Sequence, residues 1–364
     1  MLSKACLVGA YQGKLEAIAA HPDVELTVVV PSEWRDERGA LRLEREHTNG
    51  YRMIVEPIVF NGSFHLHFYP GLARRIAEAQ PDLVHIDEEP YNLATFHALR
   101  LAKRHGAQAL FFSWQNLVRR YPFPFDLMEH AVLRGADFAI LGNHEAVGVW
   151  RLKGYRGPVA VIPQFGVDPN RYAPDARPGG EGDFHVGYAG RLVEEKGLDL
   201  LLRAVARLDA SVRVTLVGAG PARTGLEQLG SALGLGGRAT FEAWRPSRQM
   251  PAYLRQLDAV VLPSRTRPNW KEQFGRLLIE AMACGVPVVG STCGEIPNVI
   301  GEAGLIFPEE DVETLAGHLR ALQRDPAARV SLTERGRARV LARYTQAQIA
   351  AQTVAVYRQV IAAR

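Results

Sequence analysis

The sequence predicts an α/β protein made of two consecutive Rossmann-like, doubly wound parallel sheets. Three observations carry that expectation. Short continuous runs of Val, Ile, Leu and Phe alternate with amphipathic stretches, as in strands buried on both faces. The alternation halts at a stretch rich in Pro and Gly and then restarts. And 364 residues is about twice the usual length of one domain. Apolar residues make up 47% and charged residues 23%, which permits a large core and excludes bulk disorder. The 34 Gly and 22 Pro carry no period, which excludes collagen-like and repeat arrays.

The first series opens with ACLVGA (5–10) as a strand. LTVVV (26–30), DLVHID (82–87), ALFFSW (109–114), DFAILG (137–142) and PVAVIP (158–163) follow. Helical stretches such as LARRIAEA (72–79) and YNLATFHALRLAKRHG (91–106) lie between them, the second ending in basic residues and Gly. Residues 163–183 hold four Pro and four Gly and read as a linker. The second series is FHVGYAG (184–190), VRVTLVGAG (212–220), ATFEAW (239–244), AVVLPS (259–264), VPVVGS (286–291) and GLIFP (304–308). Its helices are expected at 197–208, 247–257, 275–284 and 311–324. A last helix, 345–363, is expected to cross back and brace the first domain. The expected domains are therefore 1–165 with 346–364, and 166–345, facing each other across a cleft that takes the strand C-termini.

The 43 basic and 39 acidic residues leave a net charge of +4 and are intermixed, too weak a field for a nucleic-acid partner. Cys6, Cys284 and Cys293 cannot all pair and lack metal-ligand spacing, so they read as reduced thiols of a cytoplasmic protein. No apolar run reaches the ~18 residues of a membrane span. Arg74, Arg75, Arg100, Lys103, Arg104, Arg119 and Arg120 could build a basic face for peripheral contact with the inner membrane surface. Acidic residues balance them in number, and a mixed solvated surface is the blander account.

GRLVEEKG sets Gly190, Arg191 and Lys196 between a strand end and a helix start, where free amides and the helix dipole favour an anion such as a diphosphate. In KEQFGRLLIEAMACGVPVVGS, Gly275 opens a helix, Glu272 precedes it and Glu280 lies two turns in. Two carboxylates and the Phe274 and Gly275 amides suit a sugar nucleotide; surface charges are the alternative. VGAGP (217–221) is a Gly-rich turn without the dinucleotide fingerprint. GAYQGK (9–14), with Gly9, Gly13 and Lys14 opening a helix, is either a phosphate contact or a plain tight turn. Asp87, Glu88 and Glu89 end the third strand, either to recognise acceptor hydroxyls or to cap a helix beginning at Tyr91. Asn143, His144 and Glu145 after the fifth strand are open to the same two readings. His65 and His67 alternate along one face but lack a third ligand, and no Asp-x-Asp pair exists, so no metal is expected.

GRLVEEKGLD, VGAGP, the AVVLPS strand end and the Glu272-x7-Glu280 spacing within EQFGRLLIEAMACGVPVV, in this order, resemble the family 4 (group 1) retaining glycosyltransferases of the GT-B fold. The strong resemblance covers roughly residues 155–345, and GYRGPVAVIPQFGVDPNRYAP is similar to that family's connection between domains. The resemblance implies transfer of a hexose from a UDP- or GDP-type sugar to a hydroxyl acceptor, by a front-face mechanism with no cofactor and no metal. Arg191 and Lys196 would hold the diphosphate, Glu272 the donor sugar, Glu280 the ribose, and the Phe274 and Gly275 amides the sugar and phosphate. Arg245 would lie near the base, and Ser264 closes a neighbouring strand. Family members often carry a His after the fourth strand; here Gln115 or Asn116 takes that place. Three other activities fit the same residues: a GT-B sugar-nucleotide epimerase, a disaccharide phosphorylase, or a sugar-nucleotide-binding protein without turnover. Oligomeric state is not legible.

Overall fold

The computed structural model describes residues 1–36, 39–175 and 183–363. The chain divides into two compact units, Met1–Gly166 with Gln346–Arg364, and Val167–Thr345. Both are α/β with parallel sheets, as the alternating runs predict. Of the stretch read as a linker, residues 176–182 lie outside the described residues.

The strands of the first unit are β1 (Thr27–Val30), β2 (Glu33–Asp36), β3 (Gly39–Arg42), β4 (Arg52–Val55), β5 (Leu83–Ile86), β6 (Gln108–Ser113), β7 (Phe138–Leu141) and β8 (Val159–Val161). β4 pairs with β1, and β5, β6, β7 and β8 pair in succession, always parallel. Leu2 alone joins the two sets, bridging Val29 on one side and Ile86 on the other. The order β4-β1-Leu2-β5-β6-β7-β8 reverses its direction of winding beside Leu2. β2 and β3 form a separate antiparallel pair. Leu2, Val29, Val84 and Ile86 join the core on one face of the sheet, and Val28 and Val30 join that on the other.

The helices of this unit are α1 (Gly9–Ala19), α2 (Leu72–Ala79), α3 (Leu93–Arg104), α4 (Phe125–Gly135) and α5 (His144–Leu152). Ala5–Ala10, expected as the first strand, is instead a tight 3-10 turn (Ala5–Leu7) leading into α1. The Cys6 carbonyl accepts from Gln12 Nε2 and the Leu7 carbonyl from the Glu44 amide, so neither carbonyl is left for a ladder. Gly9 therefore opens α1, and Gly13 and Lys14 lie within it, so the stretch read as a turn is the start of a helix. α3 begins at Leu93 and not at Tyr91, because the Asn92 amide turns back to the Glu89 carbonyl.

In the second unit the strands are β9 (Phe184–Ala189), β10 (Val212–Val217), β11 (Ala239–Glu242), β12 (Ala259–Leu262), β13 (Val288–Ser291) and β14 (Leu305–Phe307). All pairs are parallel and the order is β11-β10-β9-β12-β13-β14. The helices are α6 (Leu198–Ala206), α7 (Arg223–Ala232), α8 (Met250–Leu254), α9 (Arg276–Ala283), α10 (Ile296–Ile300), α11 (Val312–Arg324) and α12 (Pro326–Arg343). The helix expected over 247–257 is interrupted: a 3-10 turn, Ser247–Gln249, precedes a short α8 that carries Pro251 in its first turn. α12, not anticipated from periodicity, starts with Asp325 as a cap and Pro326 in its first turn.

The closing helix, α13 (Gln346–Ala362), belongs to the first unit. Ala350 and Val354 pack with Leu15 and Ile18 of α1. Arg358 pairs with Asp23 at 2.7 Å, and Gln346 Nε2 donates to the Ala10 carbonyl at 3.1 Å.

Candidate functional site

The strand order of the second unit fixes where a ligand can sit. Its winding reverses between β9 and β12, and doubly wound sheets hold ligands beyond the carboxyl ends of the strands at that reversal. β9 runs into Gly190 and Arg191, and β12 runs into Pro263 and Ser264. Tyr188, buried at the end of β9, donates its hydroxyl to the Arg191 carbonyl at 2.9 Å. Burial, then the nearby charge of Glu272, raise the pKa of that phenol well above its ordinary value.

Lys196 and Glu272, 76 positions apart, meet at this reversal. Lys196 Nζ lies 2.5 Å from Glu272 Oε2, and the same oxygen accepts from the buried Ser264 hydroxyl at 2.9 Å. The ammonium also stands 4.9 Å from the Trp270 ring centroid. Two glycines make the approach sterically possible. Gly197 has φ +63°, and a Cβ there would sit 2.0 Å from the Pro263 carbonyl oxygen; this holds the turn carrying Lys196 against the end of β12. Gly294 has φ +56°, and its Cβ would sit 2.1 Å from the Glu272 carbonyl oxygen. The Glu295 amide donates to that carbonyl at 3.0 Å. A cation and a carboxylate are thus held in contact at the mouth of the sheet, with side-chain exposures of 17% and 10%.

The other expected donor residues of this unit are spread around that pair. Arg191 is exposed and Gly190 half-buried beside it. Phe274 is buried, with its ring centroid 5.8 Å from that of Tyr344, and Gly275 is the N-cap of α9. Glu280 lies on the buried side of α9, 2.7 Å from Arg276 Nε, and accepts from the Tyr172 hydroxyl at 3.2 Å. Arg245 does not join the group: it pairs with Glu242 at the end of β11, two strands from the reversal, over the ring of Tyr253.

The first unit gathers its expected residues at the carboxyl ends of β5, β6 and β7. Asp87 accepts from the Ser3 hydroxyl at 2.6 Å and from Gln164 Nε2 at 3.0 Å. Glu88 is paired with Lys4, and His67 Nε2 lies 3.6 Å away. Burial pushes its carboxyl up, but Lys4 and His67 outweigh that and hold it at about 2. Glu89 accepts from the Ser113 hydroxyl at 2.6 Å and the Trp114 amide at 2.8 Å; burial raises it to about 7, outweighing these two contacts and the charge of Lys4. None of the three side chains caps α3, whose N-cap is Asn92, so the capping reading is corrected. Gln115 Nε2 donates to the Leu117 carbonyl at 2.9 Å, and its Oε1 accepts from Tyr121 at 3.1 Å. Asn116 Nδ2 donates to Glu145 at 3.1 Å. His144 is exposed at the first position of α5, which Asn143 caps. Gly13 sits within α1, where a Cβ would be 3.5 Å from Gln346 Cγ.

His65 and His67 do not share a face. His65 packs among the rings of Tyr91, Tyr121 and Phe125, while His67 is fully buried between Trp34 and Tyr69. Among the described residues no three His, Cys, Asp or Glu side chains converge as metal ligands, and no helix is long and apolar enough to cross a membrane. Sequence reasoning overlooked Lys4, the cation of the first unit, and Trp270. The second had a signal, since it stands two residues ahead of Glu272 in the same motif.

Residues 175–339 match the family described as glycosyl transferases group 1. The chain is 34% identical over 198 residues to the GDP-mannose-dependent alpha-(1-6)-phosphatidylinositol monomannoside mannosyltransferase of Mycolicibacterium smegmatis, covering 50% of this chain and 52% of that one. It is 33% identical over 180 residues to a D-inositol 3-phosphate glycosyltransferase of Arthrobacter sp., covering 45% and 42%. The chain thus spans about half the length of these curated relatives. Its fold is that of the Anabaena protein HepE, solved in complex with UDP, with a TM-score of 0.74 over 98% of both chains at 19% identity.

Proposed function

We propose that the chain, whose residues 175–339 match the group 1 glycosyl transferases, moves a hexosyl group from a nucleotide diphosphate sugar to a hydroxyl acceptor, with retention and without a metal ion. The observation that carries this reading is the Lys196–Glu272–Ser264 contact at the strand reversal of the second unit. Lys196 turns from Glu272 to the diphosphate and, with Arg191, offsets the charge that grows there as the bond to the anomeric carbon breaks. Glu272, released and still held by Ser264, takes sugar hydroxyls. The Phe274 and Gly275 amides at the start of α9 receive phosphate and sugar, Glu280 takes the ribose, and Arg245 lies toward the base. The acceptor oxygen bonds to the anomeric carbon on the face the diphosphate leaves, and its proton passes to the departing diphosphate oxygen, so no side-chain nucleophile is needed. The first unit is assigned the acceptor, with Glu89 and His144 as the contacts. Asp87 and Glu88 support them from inside. Gln115 or Asn116 orients a sugar hydroxyl.

The mannosyltransferase relative is named for GDP-mannose and HepE was solved with UDP, so both donor types belong in the test. Melting curves with UDP, GDP and their sugars select the nucleotide, since a ligand that binds only the folded state raises Tm. The preferred donor is then incubated with saccharide, polyol and lipid acceptors. Acceptor-dependent release of nucleoside diphosphate, with a product of the donor's anomeric configuration by NMR, is the expected result. A donor sugar epimerised without acceptor, or tight binding with no turnover on any acceptor, overturns the reading.

A further inference from the structure

Lys196 has two carboxylates to choose from, and it takes the distant one. Asp199 stands three residues further on, in the first turn of α6, the spacing at which opposite charges ordinarily meet along a helical turn. Glu272 is 76 positions away, yet Lys196 Nζ lies 2.5 Å from it.

Asp199 is already occupied. Both its oxygens accept from Arg265 Nη2, at 2.8 and 3.0 Å. Arg265 follows Ser264 directly, so it leaves β12 beside the serine that holds Glu272. It is buried, and its main-chain amide donates to the Glu195 carbonyl at 2.9 Å. One residue thus grips the chain on both sides of Lys196, by backbone at Glu195 and by side chain at Asp199. The grip is reinforced from two directions. Arg265 Nε lies 2.9 Å from Glu310 Oε1, and Glu310 has φ +66°, a left-handed conformation rare for a residue with a side chain. Such a backbone is retained where the surroundings use it, here to bring a second carboxylate to the guanidinium. Arg267, two residues on, pairs with Glu194 at 2.7 Å, so the acid on the other side of the turn has its own cation. Glu195, adjacent to Lys196 in the chain, does not face it.

We propose that Arg265 is a positioning residue of the site: by occupying Asp199 it removes the partner nearest to Lys196 in the chain and commits the ammonium to Glu272 at the mouth of the sheet. This rests on the reading of Lys196 as the cation that receives the diphosphate. Without Arg265, Lys196 divides between two carboxylates. The Asp199 side chain is 33% exposed against 10% for Glu272, so a pair formed there is weak and open to solvent.

The test compares the full chain with Arg265→Ala, with Asp199→Asn and with both together. The first readout needs no ligand: the rate at which each lysine is acetylated by a water-soluble reagent, followed by peptide mass spectrometry. Lys4 and Lys153, paired with Glu88 and Glu129, report general loosening. Arg265→Ala should raise the rate at Lys196 about fivefold and leave Lys4 and Lys153 unchanged, because the ammonium now visits the exposed partner. Adding Asp199→Asn removes that partner and should return the rate to within about twofold of wild type. An Arg265 that only holds the fold together gains nothing from the second substitution. Titration calorimetry with UDP and GDP should follow the same order, about tenfold weaker in Arg265→Ala and restored in the double variant. Three results overturn the proposal: equal labelling of Lys196 in wild type and Arg265→Ala, a double variant no closer to wild type than the single one, or a rise at Lys4 and Lys153 as large as that at Lys196. If labelling follows the expected order and nucleotide binding does not, Arg265 positions Lys196 and the assignment of Lys196 to a diphosphate falls.

Discussion

Each unit sets a lysine–glutamate pair where its strand order reverses. Lys4 meets Glu88 beside Leu2 and β5; Lys196 meets Glu272 beyond β9 and β12. The lysines are alike, with side chains 18% and 17% exposed and an aromatic ring, Trp34 or Trp270, about 5 Å from the ammonium. The carboxylates are not. Glu88 is 1% exposed, takes the Lys4 amide on its other oxygen and has His67 beside it. Glu272 is 10% exposed and shares one oxygen between Lys196 and a serine. Identical residues at equivalent points of two related sheets can therefore act as an internal strut or as a ligand site. Enclosure of the carboxylate decides which.

The largest effect expected from breaking this contrast is in the first unit. Lys4→Met leaves Glu88 buried without its cation, which costs about 3–5 kcal/mol, or about 10 °C in Tm. The pH dependence identifies the cause. Glu88 is lowered to about 2 from an ordinary 4.5, so its contribution is present above pH 4.5 and is lost as pH falls toward 2. The gap in Tm between wild type and variant should then be full at pH 7 and narrow below pH 4.5. A Tm unchanged at pH 7 means Glu88 is no strut.

Lys196→Ala should behave in the opposite way. Its partner is partly solvated and keeps Ser264, so Tm should fall by only a few degrees. Transfer should fall about 10²–10³-fold, the scale of losing one group that meets developing charge. Circular dichroism melts and initial rates on the same sample separate the two outcomes; a variant that transfers normally removes Lys196 from the site.

Within the acidic trio the contrast recurs between neighbours. Glu89 is raised to about 7 by burial, so its sign is reversed: its contribution is present below pH 4.5 and is lost as pH rises through 7. Glu89→Gln keeps an oxygen for the Trp114 amide and removes the charge. It should flatten the fall in Tm between pH 5 and 8, leaving the variant more stable at pH 8 by about 2 kcal/mol. Parallel curves for variant and wild type would contradict this.

What the sequence disclosed follows the same division. The second unit was legible because its site is local: Gly190 to Lys196 and Glu272 to Glu280 are short segments joining a strand to a helix, and spacing alone sets them at the sheet's mouth. The strands β5 to β14 were legible because their apolar continuity needs no partner to be seen. The strand expected over 5–10 was misread. Ala5–Ala10 is as apolar as a strand, yet Gln12 and Glu44 take its carbonyls, and those contacts come from outside the run. Lys4 was overlooked for the same reason: its role is set by Glu88, 84 positions away. The pair β2 and β3 lies in mixed, largely exposed sequence, where pairing and not hydrophobic pattern makes the strand, and β4 has only three apolar residues in a row, Met53 to Val55.

The finest distinction between the two pairs rests on Trp270. Its ring lies over Lys196 on a short loop pinned by the Arg267–Trp270 bridge, and it is only half-buried. A ring at 4.9 Å stabilises a partly desolvated ammonium by about 0.5–1 kcal/mol, and it does so whether the ammonium faces Glu272 or a phosphate. It therefore places Lys196 without choosing its partner. Trp270→Leu keeps the apolar bulk and removes the ring face. Nucleoside diphosphate affinity by titration calorimetry should fall about two- to five-fold, with Tm nearly constant. The Lys196→Ala variant should lose far more affinity, and adding Trp270→Leu to it should change nothing further, because the ring acts only through that ammonium. If the double variant binds measurably more weakly than Lys196→Ala alone, Trp270 touches the ligand itself.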